Sequence, residues 1–151
     1  MANARTMDPP FVGKFKLEIA GVEIGAFTEV SGLGVQIDVE EVPEGGLNGY
    51  THKLLGRMKW PNLVFKRGVT NTNGLFEWLL KFSGEGLEDS GHKLTGSPGS
   101  IVVLNAKGDP IRTWTIEGAM PVKWTGPKLA ASGRELAVEE LEVCHRGFTA
   151  K

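Results

Sequence analysis

Apolar and polar side chains alternate along several short stretches of this chain, most clearly in GVQIDVEEVPEGG, residues 34–46. From residue 35 to residue 40 the odd-numbered positions are apolar, namely Val35, Ile37 and Val39. The even-numbered positions are polar, namely Gln36, Asp38 and Glu40. A repeat of two residues is typical of a β-strand with one buried and one solvated face. The pattern predicts a strand over 35–42 that ends in a Pro-Glu-Gly-Gly loop.

The same alternation predicts further strands on both sides of this one. KFKLEI, residues 14–19, places Phe15, Leu17 and Ile19 on one face. Residues 101–104 and 111–117 form a predicted hairpin around the turn-rich NAKGDP, and PVKWTG, residues 121–126, indicates another strand. The chain is therefore predicted to be mainly β.

A basic strand is predicted over 54–67, directly after the glycine-rich loop. Arg57 and Lys59 alternate with apolar neighbours, and the parity flips after Pro61, which predicts a bulge at Pro61-Asn62. Antiparallel pairing with 35–42 would place both cations on the polar face that carries Asp38 and Glu40. Exposed pairs of this kind contribute about 0.2–1 kcal/mol each, so they set the register and add little stability.

One helix is predicted in NTNGLFEWLLKFSGEG, residues 71–86. Asn71, Thr72 or Asn73 would cap it, and Ser83-Gly84 would end it. Its apolar stripe consists of Leu75, Phe76, Leu79 and Leu80. Trp78 and Phe82 widen this stripe. A helix of about ten residues is marginal alone, so we expect this stripe to pack on the sheet and to be the main clamp of the fold.

The remaining segments complete a one-domain interpretation. Residues 1–10 are expected to be a flexible arm and 11–151 a single β domain, with a Gly/Ser-rich loop over 84–100. The tail RELAVEELEVCHRGF suits either a helix or two strand stretches with a parity shift at Glu139-Glu140, and we favour strand.

Charge is distributed unevenly although the formal net charge is only −1. Residues 1–46 carry −5, residues 47–82 carry +5 and residues 83–151 carry −1, so the acidic and basic blocks are complementary within one subunit or between subunits. The single cysteine, Cys144, excludes an internal disulfide and fits a reducing compartment. No apolar run approaches the roughly 20 residues of a membrane span, and the first ten residues lack the apolar core of a signal peptide.

No catalytic, metal or cofactor constellation is predicted. His52, His92 and His145 lack metal-ligand spacing, and Cys144 and His145 would point to opposite faces of a strand. Glu139, Glu140 and Glu142 fit a solvated face better than a cation site. The four tryptophans lie in apolar patterns, which favours core or subunit-interface anchors over nucleic-acid or carbohydrate stacking.

The order of these pieces resembles the phage tail tube family, in particular the inner-tube proteins of contractile tails and phage-derived contractile injection systems. The resemblance covers about residues 11–148. It rests on FTEVSGL, the glycine-rich loop, the basic strand with KWPN and KRG, the WL of the helix, and the terminal ELEVCHRG.

The resemblance implies a β-sandwich or partial β-barrel with one external helix, which closes into a hexameric ring with a continuous inner barrel. Rings would stack into a hollow tube that sheath contraction drives through a target envelope. The polar strand face would line the lumen, with Gln36, Asp38, Glu40, Arg57 and Lys59. The segment that reaches the neighbouring ring would be Pro43, Glu44, Gly45, Gly46, Leu47, Asn48, Gly49 and Tyr50.

The implied partners are further copies of the chain, a sheath protein, baseplate, tube-initiator and tip proteins, and cargo in the lumen. Assembly in the bacterial cytoplasm is expected, without a membrane anchor, cofactor, enzymatic activity or specific nucleic-acid recognition. Two alternatives remain open: a tube-initiator paralogue at the baseplate, and a monomeric β module that binds a ligand at a strand edge.

Overall fold

The computed structural model describes residues 13–20, 22–46, 49–70, 73–83, 96–133 and 137–150. The predicted arm and most of the predicted 84–100 loop lie outside this part of the chain, as do Leu47, Asn48 and the candidate caps Asn71 and Thr72. The secondary structure comprises β1 Lys14–Ile19, β2 Val22–Phe27, β3 Glu29–Ser31, β4 Gln36–Val42, β5 His52–Lys59, β6 Leu63–Gly68, α1 Gly74–Leu80, β7 Ser97–Leu104, β8 Pro110–Thr125, β9 Val138–Cys144 and β10 Phe148–Ala150. The mainly β prediction is confirmed.

Eight of these strands form one antiparallel sheet, and the other two form a separate ribbon. The sheet runs β2-β1-β7-β8-β9-β6-β3, with β10 also paired to β8, while β4 pairs with β5. Strand β8 joins the two halves of the sheet, because its first part pairs with β7 and its second with β9. The predicted strand at PVKWTG is thus the second half of β8.

The core lies between the two halves of this folded sheet. Phe27 of β2 contacts Phe65 of β6 with ring centroids 5.1 Å apart. The fully buried side chains around them come from both halves, namely Leu17, Leu63, Leu75, Ile101, Ile116, Leu141 and Val143. The folded sheet with one helix matches the predicted sandwich or partial barrel.

The predicted helix is present as α1, but its packing was predicted only in part. Leu75 and Trp78 are buried and Leu79 is half-buried, whereas Phe76 and Leu80 are 40% and 64% exposed. The helix has only seven residues, and Asn73 caps it without a side-chain hydrogen bond. A helix of two turns can present only a narrow apolar stripe to the sheet. The strands, and not the helix, therefore supply most of the core.

The tail forms strands, as favoured, but without the predicted parity shift. In β9 the buried positions alternate regularly through Glu139, Leu141 and Val143, and Val138 is exposed. Glu139 therefore points into the core, where it pairs with Arg67 on β6. The sequence pattern was misinterpreted because a charged residue at a core position breaks the apolar alternation.

This buried ion pair connects four strands. Trp124 donates from Nε1 to Glu139 Oε2 at 3.1 Å, and Arg67 Nη1 lies 3.4 Å from the carbonyl oxygen of Ile24. The guanidinium also lies over the Phe27 ring, 5.2 Å from its centroid. Because burying a charge is costly unless it is paired and hydrogen-bonded, these contacts make the charged core position tolerable.

Candidate functional site

The ribbon of β4 and β5 is the part of the structure whose features call for a partner. Among the described strands these two pair only with each other, and every residue in them is exposed except the half-buried Asp38. A two-stranded ribbon is marginally stable in water unless something packs on it. The sequence predicted one strand over 54–67, but strand structure is interrupted at residues 60–62. As a result β5 belongs to the ribbon, whereas β6 belongs to the sheet.

One face of the ribbon is apolar and uncovered. Ile37 lies opposite Met58 and Val39 lies opposite Leu55, and directly opposed residues share a face. These four side chains are 39%, 54%, 52% and 74% exposed, in that order. We call them the apolar face of the ribbon. Their exposure leaves a contiguous hydrophobic surface that a monomeric protein would ordinarily bury.

The other face is polar and carries the predicted lumen residues Gln36, Asp38, Glu40 and Lys59. Gln36 lies opposite Lys59, and the Lys59 ammonium is 3.0 Å from Asp38 Oδ2. This ion pair confirms that Asp38 and Lys59 share a face. Glu40, however, lies opposite Leu54 instead of a cation.

A bulge explains the difference in register. The pairing passes from Ile37–Met58 to Val39–Leu55, so Asp38 alone faces both Gly56 and Arg57. Gly56 sits closely against Asp38, because a Cβ there would lie 3.3 Å from its carbonyl oxygen. The extra residue shifts the partners of β4 beyond the bulge, which alternation within one strand does not reveal.

The loop between the two strands is organised around His52. Its Nε2 lies 2.7 Å from Glu44 Oε2, and its ring meets that of Tyr50 edge-on at 5.6 Å between centroids. Gly46 has φ +93°, a conformation that favours glycine. Of the eight predicted ring-stacking residues, the described ones form an exposed loop. This loop contacts His52, the first residue of β5, through Glu44 and Tyr50.

Residues 60–62 connect β5 of the ribbon to β6 of the eight-stranded sheet. We call these residues the root of the ribbon, and the sheet with its helix the body. Asn62 donates from Nδ2 to Glu142 Oε1 at 3.0 Å, and Trp60 meets Phe148 at 5.0 Å between ring centroids. His145 Nε2 lies 3.1 Å from the carbonyl oxygen of Pro61. The polar face of the ribbon therefore begins beside Glu142, on the outer side of β9.

A second polar surface adjoins this root, and the sequence reasoning did not assign it. On the outer faces of β6, β9 and β8, Lys66 pairs with Glu140 at 3.5 Å, and Glu142 lies opposite Lys123. A shallow depression there is lined by Val64, Lys123, Thr125, Glu140 and Glu142. The regular alternation of β9, with Glu140 and Glu142 at its outer positions, is the signal that could have identified it.

Among the residues that the structure describes, no group of three or more His, Cys, Asp or Glu side chains could hold a metal ion. Cys144 is a free, half-buried thiol. Trp78 belongs to the core, and Trp114 and Trp124 pack against it. The described helix is too short to cross a membrane.

The chain belongs to the T4-like virus tail tube protein gp19 family, whose pattern matches residues 13–149. It is thus a structural inner-tube protein. None of the curated protein sequences matches this chain.

Solved structures show the same fold. A chain of the PVC sheath-tube complex, an extracellular contractile injection system in its extended state, is 22% identical with TM-score 0.78, over 100% of this chain and 98% of that one. A chain of the six-fold symmetrised anti-feeding prophage baseplate is 24% identical with TM-score 0.74, over 96% and 97%. Hcp1 from Flavobacterium johnsoniae is 15% identical with TM-score 0.50, over 91% and 94%.

Proposed function

We propose that six copies of this chain close into a ring and that the rings stack into the hollow inner tube of a contractile phage tail or injection system. The observation that carries the proposal is the ribbon, which is unsupported in one subunit and apolar on one face. The similar anti-feeding prophage baseplate is six-fold symmetrised, which supports the same number here. Large apolar side chains contribute up to about 1.5–3 kcal/mol each when they are buried, so a neighbouring copy that covers this face would supply the missing stability.

Open strand edges give the ring a means of closure. Among the described strands, β4 pairs only with β5 and β3 only with β6, while residues 120–125 of β8 pair only with β9. An edge at each end of the same layer allows head-to-tail pairing between copies, and a heterologous contact that closes gives a ring. Closure also removes the aggregation hazard of free edges.

The polar surfaces would then line the lumen. Gln36, Asp38, Glu40, Arg57 and Lys59 on the ribbon continue through Asn62 into the outer face of β6, β9 and β8. Acidic and basic side chains alternate there, as in the pairs Lys59–Asp38 and Lys66–Glu140. These two ion pairs mix both signs of charge on the surface, so we expect cargo to pass without strong adsorption.

The loop over residues 43–50 would contact the next ring along the axis. Its described residues, 43–46 and 49–50, are exposed at the far end of the ribbon from the root, and Glu44 contacts His52 of β5. A second head-to-tail contact along the axis converts closed rings into a filament.

The outside of the tube would meet the other components of the particle. The PVC relative occurs in a sheath-tube complex and the anti-feeding prophage relative in a baseplate. By the same likeness, we expect a sheath protein around this tube, and initiator and tip proteins at its end. Assembly in the bacterial cytoplasm and a non-enzymatic role accord with this assignment.

Electron microscopy and sedimentation of the purified full chain test the proposal. We expect rings or rods with an axial hole. The double variant Val39→Thr/Leu55→Thr, on the apolar face, should sediment as a folded 16.3 kDa monomer. The matched control Glu40→Thr/Leu54→Thr changes the opposed pair on the polar face and should still form rings.

Two outcomes would contradict the proposal. One is a wild-type chain that stays monomeric even with baseplate components, which would favour the ligand-binding module. The other is unchanged ring formation by Val39→Thr/Leu55→Thr. The initiator alternative is supported by the likeness to a baseplate chain, and it predicts single rings that do not elongate without a second tube protein.

A further inference from the structure

The layer formed by β6, β9 and the second half of β8 has two unlike ends. The ribbon leaves one end at its root, beside Leu63 of β6. At the other end, Gly68 of β6 pairs with Val138 of β9. Next to this pair, Glu140 of β9 pairs with Thr125, the last residue of β8. The end of β6, the start of β9 and the end of β8 therefore lie together, opposite the ribbon.

A depression with a volume of about 250 Å³ lies at this far end of the layer. It is lined by Lys66, Val138, Glu140 and residues 125–128, and we call it the end depression. Lys66 lies 3.5 Å from Glu140 and balances its charge. Lys128 is exposed and forms no ion pair with any residue that the structure describes. The unbalanced charge of the end depression is therefore positive.

The loop at the tip of the ribbon carries the opposite charge. The Glu44 side chain is 61% exposed, and among the described residues only its Oε2 has a partner, His52 Nε2 at 2.7 Å. A Cβ at the adjacent Gly45 would meet nothing within 4 Å, and the φ of Gly45 is not positive. Neither the packing nor the backbone of one copy therefore requires glycine there, although glycine loses more conformational freedom on folding than any other residue. A glycine in this position lets a second chain approach the backbone closely.

The loop and the end depression of one copy are too far apart to meet. Strand β5 has eight residues and β6 has six. At about 3.3 Å per residue, these strands place roughly 45 Å of extended chain between the loop and the depression. Successive rings in a head-to-tail stack, however, present opposite ends to each other. The loop of one ring then meets the far end of the layer in the next ring.

We propose that the end depression is the docking surface for residues 43–46 of a copy in the neighbouring ring, and that Glu44 of that copy pairs with Lys128. The proposal rests on the stacked rings proposed above and names the surface that receives the loop. Opposite charges hold two rings in one angular register, because a register that brings like charges together is repelled. The contact also joins the polar face of the ribbon in one ring to the polar surface of β6, β9 and β8 in the next, so the bore keeps a polar wall across the ring boundary.

Reversal of the two charges in the full chain tests this pairing. Glu44→Lys and Lys128→Glu each bring like charges together at the contact. Six such contacts act together between two rings, so about twofold per contact multiplies to well over tenfold across the interface. We expect each single variant to form rings that stack only at more than about tenfold higher protein concentration. In the double variant Glu44→Lys/Lys128→Glu the charges are exchanged, and most of this loss should be recovered. Electron microscopy distinguishes rings from tubes, and sedimentation over a concentration series gives the midpoint of stacking.

Two further variants separate the contact from general effects. Lys107→Glu is the matched control, because this lysine is exposed in the turn before β8, at the opposite end of that strand from Lys128. It should stack as the wild type does. Gly45→Val tests the close approach without a change of charge, and it should shorten tubes while rings still close.

Five outcomes would overturn the docking surface. They are normal stacking by Lys128→Glu, normal stacking by Gly45→Val, a double variant that stacks no better than the single ones, an equal loss of stacking in Lys107→Glu, and wild-type rings that never stack even with baseplate components. All five leave ring closure standing. A wild-type chain that forms no rings would instead overturn the ring proposal itself.

Discussion

At the scale of single residues, two features determine where the chain can bend and which charges it can bury. Gly32 has φ +88°, and a Cβ there would overlap the carbonyl oxygen of Asn62. The two connections between body and ribbon therefore touch backbone to backbone. Arg67 and Glu139 are 3% and 5% exposed, so a complete ion pair lies in the core beside Gly25, which leaves room for the guanidinium.

We expect Gly32→Ala to lower the free energy of unfolding by about 1–3 kcal/mol, because it combines an unfavourable φ with a backbone clash. Gly34→Ala is the matched control: nothing lies within 4 Å of its Cβ position and its φ is not positive. The control should change stability by less than about 1 kcal/mol. Urea unfolding measures both, and equal effects would contradict the close contact at Gly32.

Breaking the buried pair should cost more than removing it. Glu139→Leu leaves a buried guanidinium without its counter-charge, which typically costs about 3–5 kcal/mol. The double variant Arg67→Met/Glu139→Leu should recover part of this loss, because neither charge then has to be desolvated.

The exposed ion pair Lys66–Glu140, on the same two strands, is the control for this comparison of single and double variants. Lys66 and Glu140 face solvent, with side chains 38% and 41% exposed. Lys66→Met and Glu140→Leu should each cost no more than about 1 kcal/mol. Chemical denaturation of all the variants tests the comparison, and a double variant less stable than Glu139→Leu would refute it.

At the scale of elements, the helix contributes few buried side chains to the core, and the ribbon lacks a packing partner for its apolar face within one subunit. Helix α1 buries Leu75 and Trp78 and leaves Phe76 to contact Trp124, 4.9 Å away between ring centroids. None of the four side chains on the apolar face of the ribbon is buried within one subunit. These two elements therefore differ in where their stability comes from: the helix depends on its own sheet, and the proposed ring would support the ribbon.

Within the helix, Leu75→Ala should destabilise the chain by about 2–5 kcal/mol because the side chain is 0% exposed. Leu80→Ala, five positions on and 64% exposed, should change stability by no more than about 0.5 kcal/mol. Thermal or urea unfolding checks both. If Leu80→Ala in an assembled tube weakens the assembly although the isolated chain is unaffected, this side chain lies at an interface.

At the scale of the whole molecule, stacking of rings should depend on a loop that the fold does not need. The variant Glu44→Lys with deletion of Gly45-Gly46 removes the His52 contact and shortens the exposed loop. We expect folding to change by less than about 1 kcal/mol, since exposed pairs contribute little. Tube length in electron micrographs should fall to single rings. Tubes of normal length would show that residues 43–50 do not form the stacking contact.

The sequence by itself determined the local elements. Alternation of apolar residues identified most strands, the short apolar stripe identified the helix, and motifs such as FTEVSGL indicated the family. These signals depend on neighbours a few residues apart, which is why they survive without the fold. The roles proposed for the polar ribbon residues and the 43–50 loop still await the assembly experiments.

Only the tertiary structure decided the non-local features. It assigned β5 to a ribbon and β6 to the sheet, placed a bulge opposite Asp38, and turned Glu139 inward toward Arg67. It also brought His145 to Pro61, 84 positions away in the chain. Pairing partners and the burial of a charge depend on residues that are far apart in sequence. An alternating pattern shows that two faces exist, and only the folded chain shows which of them meets the core.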